Sequence, residues 1–211
     1  MFEVEYKGGN GVVVSSSKAN VVIDPKTSLV GLKDLAVKDK IELATEARFA
    51  LNSDDAKIVI EGPGEYGIAD LDITGVAATR HLDTEADPKV STIYRIDNGE
   101  IRLAVVGNIF ENISEDQLEE IGIIDVLVIP VGGNGYTLDA TGAATLVRKI
   151  SPKAVIPVHY DDPALTYEVP QGTLDEFAKT LGAPVEEVTK YKVKSASALP
   201  ATLTVVALAR S

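Results

Sequence analysis

Alternating apolar and polar residues dominate the first half of the chain. At the start, Phe2, Val4 and Tyr6 alternate with Glu3 and Glu5, which is the two-residue period of a half-buried β-strand. β-branched runs separated by glycine-rich or polar turns follow. They predict strands over residues 2–6, 11–16, 20–25, 41–45, 56–61 and 71–79. Gly and Pro in the segment 62–67 predict a loop between the last two strands.

The second half mixes strand and helix patterns. The Asn98–Gly99 turn predicts a hairpin between strands 91–97 and 101–106. Ser114 followed by Gln117 has the spacing of a capping box at a helix N-terminus. Alanine, valine and isoleucine recur on one helical face between 139 and 150. Three more strands are predicted at 124–130, 153–160 and 202–208, and one more helix at about 172–181.

Strands therefore come first in this chain, and strands alternating with helices come later. This order predicts an α/β protein in which two sheets pack together and helices lie on their outer faces. The chain has 211 residues, which is long enough to bury a core as one domain over residues 1–211.

Charge and composition exclude several classes of function. The chain carries 20 basic and 32 acidic residues, a net charge of −12, which disfavours nucleic acid and anionic membranes as partners. It has no cysteine, so thiolate metal sites and cysteine nucleophiles are excluded. The N-terminus lacks the apolar run of a signal peptide, and no stretch is long enough to span a membrane. We therefore expect a cytoplasmic protein.

Five stretches of the chain together resemble one known family. The chain resembles the metallo-β-lactamase superfamily, in the branch of the L-ascorbate-6-phosphate lactonase-like proteins. The stretches are YKGGN (6–10), VVIDP (21–25), EGPGEYGIADLDITGV (61–76), LEEIGIIDVLVIPVGGNGYTLDA (118–140) and SPKAVIPVHY (151–160). The resemblance implies a four-layer αβ/βα sandwich with its site at one edge, between the two sheets.

The resemblance also implies a pair of metal ions, usually zinc, held by a His-x-His-x-Asp-His turn and by later ligands. Imidazoles and carboxylates suit such ions, and a bridged pair turns water into hydroxide near neutral pH. In this sequence the turn aligns with residues 46–51, and its ligand positions hold Glu46, Arg48, Ala50 and Leu51. Alanine and leucine cannot ligate a metal, and arginine has no lone pair to offer.

The later ligand positions align with His81, Asn108 and His159, where Asn108 stands in place of an aspartate. If a metal binds, its ligands are His81, His159 and Glu46, since two histidines and one carboxylate form a known catalytic zinc set. We favour the alternative of no cofactor, with both histidines hydrogen-bonded to neighbours across a residual pocket. The positive charge of Arg48 would repel a dication in a poorly solvated site.

Three functions remain open from these residues. The favoured one is a non-catalytic binding or assembly module, because most metal ligands are replaced. The second is a hydrolase of esters, lactones or phosphoesters with a one-metal site. The third is a small-anion binder, in which Arg48 replaces the charge of the metal; alternatively, Arg48 pairs with Glu46 or Asp83. A homo-oligomer or a protein partner is compatible with each function.

Overall fold

The computed structural model describes residues 1–81 and 90–211. Asp83, the alternative partner predicted for Arg48, therefore lies outside the described residues. The strands are β1 (Phe2–Gly8), β2 (Gly11–Ser15), β3 (Asn20–Ile23), β4 (Ile41–Ala44), β5 (Ile58–Glu61), β6 (Gly64–Ile68), β7 (Leu71–Thr79), β8 (Val90–Asp97), β9 (Arg102–Val105), β10 (Val126–Pro130), β11 (Ala154–Val158), β12 (Val185–Val188), β13 (Tyr191–Val193) and β14 (Thr204–Leu208). The α-helices are α1 (Glu115–Ile121), α2 (Ala140–Ile150) and α3 (Leu174–Leu181).

These strands form two mixed sheets. The smaller has six strands in the order β13-β1-β2-β3-β4-β5, and the larger has eight in the order β12-β14-β11-β10-β9-β8-β7-β6. Strands β3, β4 and β5 run parallel, as do β9, β10, β11 and β14. The predicted α/β metallo-β-lactamase fold is confirmed by two packed mixed sheets with helices.

Two apolar clusters hold these layers together. The first lies between the sheets and joins β1 residues such as Phe2 and Tyr6 to β8 residues such as Tyr94 and Ile96. The second joins the larger sheet to the helices and includes Phe177 of α3. On the other side of the smaller sheet, loop residues cover the buried Glu42, whose carboxylate accepts hydrogen bonds from the backbone amides of residues 51–53.

Two local predictions needed correction. The segment 62–67 was expected to be a loop, but Gly64–Ile68 pairs antiparallel with β7 as strand β6. Pairing to a neighbouring strand outweighs the weak strand propensity of glycine. Strands β12 and β13 were not predicted, because they are short edge strands whose polar residues face solvent.

Candidate functional site

The candidate residues follow the carboxyl ends of strands in both sheets. Asp24 follows β3, Glu46 follows β4, Asn108 follows β9 and His159 follows β11. Ligand sites of open α/β sheets form at this edge, because the carboxyl ends of parallel strands point to the same side. The glycine turn between β1 and β2 reaches the same edge, since the amide of His159 donates to the carbonyl of Gly9 at 2.9 Å.

A buried carboxyl holds the start of the 46–51 turn. Asp24 accepts hydrogen bonds from the backbone amide and the hydroxyl of Thr45, both at 2.7 Å. Burial raises the pKa of Asp24 to about 7, although the two hydrogen bonds from Thr45 oppose this shift. Asp24 also has a left-handed backbone with φ of 51°, which is uncommon for a non-glycine residue. Through these contacts with Thr45, Asp24 anchors the backbone just before the 46–51 turn.

Glu46 is buried and faces two arginines. Its Oε2 lies 2.9 Å from Nε of Arg48 and 3.7 Å from Nη1 of Arg80, and its Oε1 accepts from Nη2 of Arg48 at 3.4 Å. Burial raises the pKa of Glu46, and the positive charge of Arg48 is the largest effect in the opposite direction. The predicted pairing of Arg48 with Glu46 is therefore present. Arg48 also stacks over the ring of Phe49, with its Cζ 4.6 Å from the ring centroid.

Asn108 is buried and pairs with a second asparagine. Its Oδ1 accepts from Nδ2 of Asn10 at 2.9 Å, and its side chain lies close enough to Glu46 to favour the charged form of that carboxyl. Asn10 follows the glycine turn, and its Oδ1 has no hydrogen-bond partner in the described part of the chain. The position expected for a bridging aspartate is thus occupied by an amide that already accepts a hydrogen bond.

His81 sits beside Asn108 through the backbone, since its amide donates to the carbonyl of Asn108 at 2.9 Å. Its ring lies next to Phe110, with centroids 6.1 Å apart. The Nδ1 atom is buried and finds no hydrogen-bond partner within residues 1–81 and 90–211. The expected hydrogen bond from this ring to a neighbour is not found there.

His159 is buried and uncharged at neutral pH. Its Nδ1 lies 3.1 Å from Oε1 of Gln171, and its ring packs against Tyr167 with centroids 4.8 Å apart. Burial lowers the pKa of His159 to about 4, although the hydrogen bond to Gln171 opposes this shift. The hydrogen bond that we predicted for this histidine is therefore present.

Arg48 and His159 line one cavity of about 130 Å³. Its apolar wall consists of Leu29, Val30, Phe49 and Val169, and its polar wall adds Tyr136, Tyr167, Glu168 and Gln171. The loop between β11 and α3 carries five of the residues that line the cavity, His159, Tyr167, Glu168, Val169 and Gln171. Backbone hydrogen bonds hold this loop in place, among them that from the amide of Gly172 to the carbonyl of Gly132 at 2.6 Å.

The residues present do not fit a two-metal centre. No group of three or more histidine, aspartate or glutamate side chains is placed to hold a metal ion among the residues that the structure describes. The carboxylate of Glu46 is already engaged by the guanidinium of Arg48. A dication at this point would be repelled by a fixed positive charge in a poorly solvated environment.

The predicted site residues thus divide into two groups. Glu46 pairs with Arg48 and lies close to Asn108, and Arg48 and His159 line the same cavity. His81 contacts Asn108 only through its backbone. Sequence reasoning missed several residues that complete the site: Asn10, Arg80, Tyr136, Tyr167, Glu168 and Gln171. Only Asn10 had a local signal, its position directly after the glycine turn YKGGN.

The fold and the position of the site define a protein of the metallo-β-lactamase class. Residues 3–159 match the family described as "Beta-lactamase superfamily domain". The chain belongs to this family. None of the helices in the part of the chain described here has the length and apolar character that a membrane span requires.

Several known proteins are similar to this chain in sequence or in fold. The chain is 26% identical over 166 residues, 72% of either chain, to a UPF0173 metal-dependent hydrolase of Thermococcus onnurineus. It is 33% identical over 70 residues to a UPF0173 metal-dependent hydrolase of Carboxydothermus hydrogenoformans, a match that spans only 30% of that relative. The structure is similar to that of a metallo-β-lactamase superfamily protein of Thermotoga maritima, with a TM-score of 0.74, 20% identity, and coverage of 99% of this chain and 100% of the other.

Proposed function

We propose that this protein is a metal-independent binding module, and that its ligand is a small anion held by Arg48. One observation carries the proposal: the guanidinium of Arg48 stands in the turn where the family resemblance implies metal ligands, and it lines a cavity of about 130 Å³. The fixed charge of an arginine replaces the charge of a metal ion at this place.

Arginine suits this role because its planar fork binds carboxylate and phosphate groups with two hydrogen bonds. Glu46 engages Nε and Nη2 of Arg48 and so holds the side chain in one orientation. About 36% of the side-chain surface of Arg48 remains exposed. The guanidinium is therefore both pre-positioned and accessible, which lowers the entropic cost of binding a ligand.

Isothermal calorimetry on the Arg48→Gln variant tests this proposal, with phosphate, acetate and longer carboxylates as ligands. Loss of one charge-assisted hydrogen bond weakens binding by roughly tenfold or more, so we expect at least that loss of affinity. Arg102→Gln is the matched control, because Arg102 pairs with Asp97 at 3.5 Å and does not line the cavity. Equal affinity in Arg48→Gln and the unmodified protein, or no binding across the panel, refutes the proposal.

A second candidate is a metal-dependent hydrolase with a one-metal site. The names of the relatives favour it, and so does the buried Nδ1 of His81, which lacks a hydrogen-bond partner in the described part of the chain. Glu46, His81 and His159 are the residues that would hold the metal, which would supply a hydroxide for hydrolysis. Two observations weigh against this candidate: Glu46 pairs with Arg48, and among the described residues no three histidine, aspartate or glutamate side chains are grouped closely enough to hold a metal ion.

Metal content separates the two candidates. Untagged protein is dialysed against excess zinc and then against buffer, and bound zinc is measured by mass spectrometry. We expect far less than one zinc ion per chain. About one ion per chain that is lost in both His81→Ala and His159→Ala would instead establish the hydrolase candidate, and assays on esters, lactones and phosphoesters would follow.

A further inference from the structure

The cavity lined by Arg48 and His159 contains two side chains of opposite charge, those of Arg48 and Glu168. Arg48 follows β4, whereas Glu168 belongs to the loop between β11 and α3. Glu168 forms no ion pair with a basic side chain in the described ranges, and Arg48 pairs with Glu46. The cavity therefore presents a positive and a negative group that do not neutralise each other directly.

Tyr136 lies in the same cavity as the side chains of Arg48 and Glu168. The nearby carboxylate of Glu168 raises the pKa of Tyr136. The charge of Arg48 acts on the same hydroxyl in the opposite direction. Arg48, Tyr136 and Glu168 thus line one small volume.

The hydrogen bonds of Gln171 determine which nitrogen of His159 carries the proton. The Nε2 amide of Gln171 donates to the carbonyl of Val169 at 2.9 Å, so its oxygen is the atom that faces His159. That oxygen can only accept, and Nδ1 of His159 must therefore donate. In the neutral ring, Nε2 is left as a hydrogen-bond acceptor. A ligand group beside it must be a donor.

The size of the cavity limits the ligand. A water molecule needs roughly 10–15 Å³ of such volume, so a cavity of about 130 Å³ holds a ligand of roughly ten non-hydrogen atoms. Its apolar wall, formed by Leu29, Val30, Phe49 and Val169, suits an aliphatic group and excludes a second charge there.

We propose that the ligand is a small zwitterion, an α-amino acid or similar aminocarboxylate. Its carboxylate binds Arg48, its ammonium group binds Glu168 and Nε2 of His159, and its aliphatic part packs on the apolar wall. This proposal rests on the proposed function, since it takes the anion site at Arg48 as one half of the ligand site. It adds Glu168 and His159 as the part of the site that binds the ammonium group.

Matched ligands test the proposal by calorimetry. Leucine, valine, isoleucine and methionine are each compared with the acid that lacks the amino group and with the amine that lacks the carboxylate, for example leucine with 4-methylpentanoate and 3-methylbutylamine. A charge-assisted contact contributes roughly tenfold or more in affinity. We expect at least one amino acid to bind tenfold or more tightly than both of its matched compounds.

Variants of Glu168 and Arg48 test which residue causes the preference for an amino acid over the matching acid. Glu168→Gln should remove most of the preference for the amino acid over the acid. Glu186→Gln is the control, since Glu186 lies exposed on β12. Arg48→Gln should weaken binding of both the acid and the amino acid. Because Glu168 is exposed on its loop, its substitution should not affect folding, which is checked by the unfolding midpoint.

The outcomes separate this proposal from the anion site itself. If the acids bind as well as the amino acids, and Glu168→Gln changes neither, the zwitterion proposal is wrong and the anion site at Arg48 stands. If phosphate binds in an Arg48-dependent way but neither acids nor amino acids bind, the zwitterion proposal is wrong and the anion site stands. If phosphate, acids and amino acids all fail to bind, or if their binding is insensitive to Arg48→Gln, both proposals are wrong.

Discussion

At the scale of single residues, burial makes ionisation of the Asp24 carboxyl unfavourable in the fold. Its carboxyl is fully buried and its pKa is raised from 3.8 to about 7 by burial. Between these values the folded chain retains a proton that the unfolded chain releases. The free energy of unfolding contributed by Asp24 is therefore highest below about pH 4 and falls as pH rises towards 7.

The Asp24→Asn variant isolates this contribution. An asparagine keeps both contacts with Thr45, because its oxygen accepts from the backbone amide and its amide donates to the hydroxyl, which can rotate to accept. We expect the free energy of unfolding of the variant to rise relative to the unmodified protein as pH increases from about 4 to 7. Urea unfolding at a series of pH values measures the difference between the two proteins.

The two proteins are compared because the titration of His159 changes the free energy of unfolding with pH in the opposite direction to that of Asp24. Its pKa is lowered to about 4 by burial, so its contribution to stability is lost as pH falls from the ordinary value of histidine towards 4. This effect is present in both proteins and cancels. If the free energies of unfolding of the two proteins change in parallel from about pH 4 to 7, the pKa of Asp24 is not raised in the fold and the prediction is wrong.

At the scale of elements, the capping box of α1 links a helix to the larger sheet. The hydroxyl of Ser114 accepts from the amide of Gln117 at 3.2 Å, and Oε1 of Gln117 accepts from the amide of Ser114 at 2.9 Å. The Nε2 group of Gln117 then donates to the carbonyl of Ala77 in β7 at 2.6 Å. The box predicted from sequence spacing is confirmed, and it also positions α1 on β7.

Ser114→Ala tests this cap. We expect a loss of about 1 kcal/mol in the free energy of unfolding, because the amide of Gln117 loses its acceptor at the helix start. Ser195→Ala is a matched control, since Ser195 precedes a short 3-10 turn and makes no side-chain cap hydrogen bond to it. Equal urea midpoints for the two variants would contradict the expectation.

Element patterns also explain what sequence analysis predicted well. Strands such as β10, whose residues Val126–Pro130 are all buried, have the continuous apolar runs that are typical of strands covered on both faces. These runs made the strands predictable from sequence. The glycine-rich strand β6 and the polar edge strands β12 and β13 have no such run. Their extended conformation depends on pairing with β7, β14 and β1, and pairing between strands distant in sequence is not encoded locally.

At the scale of the whole molecule, the site exists only because both sheets bring their edges together. Asn10 and Asn108, 98 positions apart in sequence, form a buried hydrogen bond of 2.9 Å. The glycine turn, the 46–51 turn and the loop after β11 reach the same edge from different parts of the fold. Within a chain of net charge −12, Arg48 and Arg80 both lie beside the buried carboxylate of Glu46.

The sequence by itself determined the fold class, most strands and the three α-helices, because periodicity and residue type are local properties. Only the tertiary structure decided that Arg48 pairs with Glu46, that Gln171 sets the protonated nitrogen of His159, and that Glu168 and Tyr136 complete the cavity. These contacts join residues that are distant along the chain. Their geometry follows from the packing of two sheets and a loop, which no local pattern specifies.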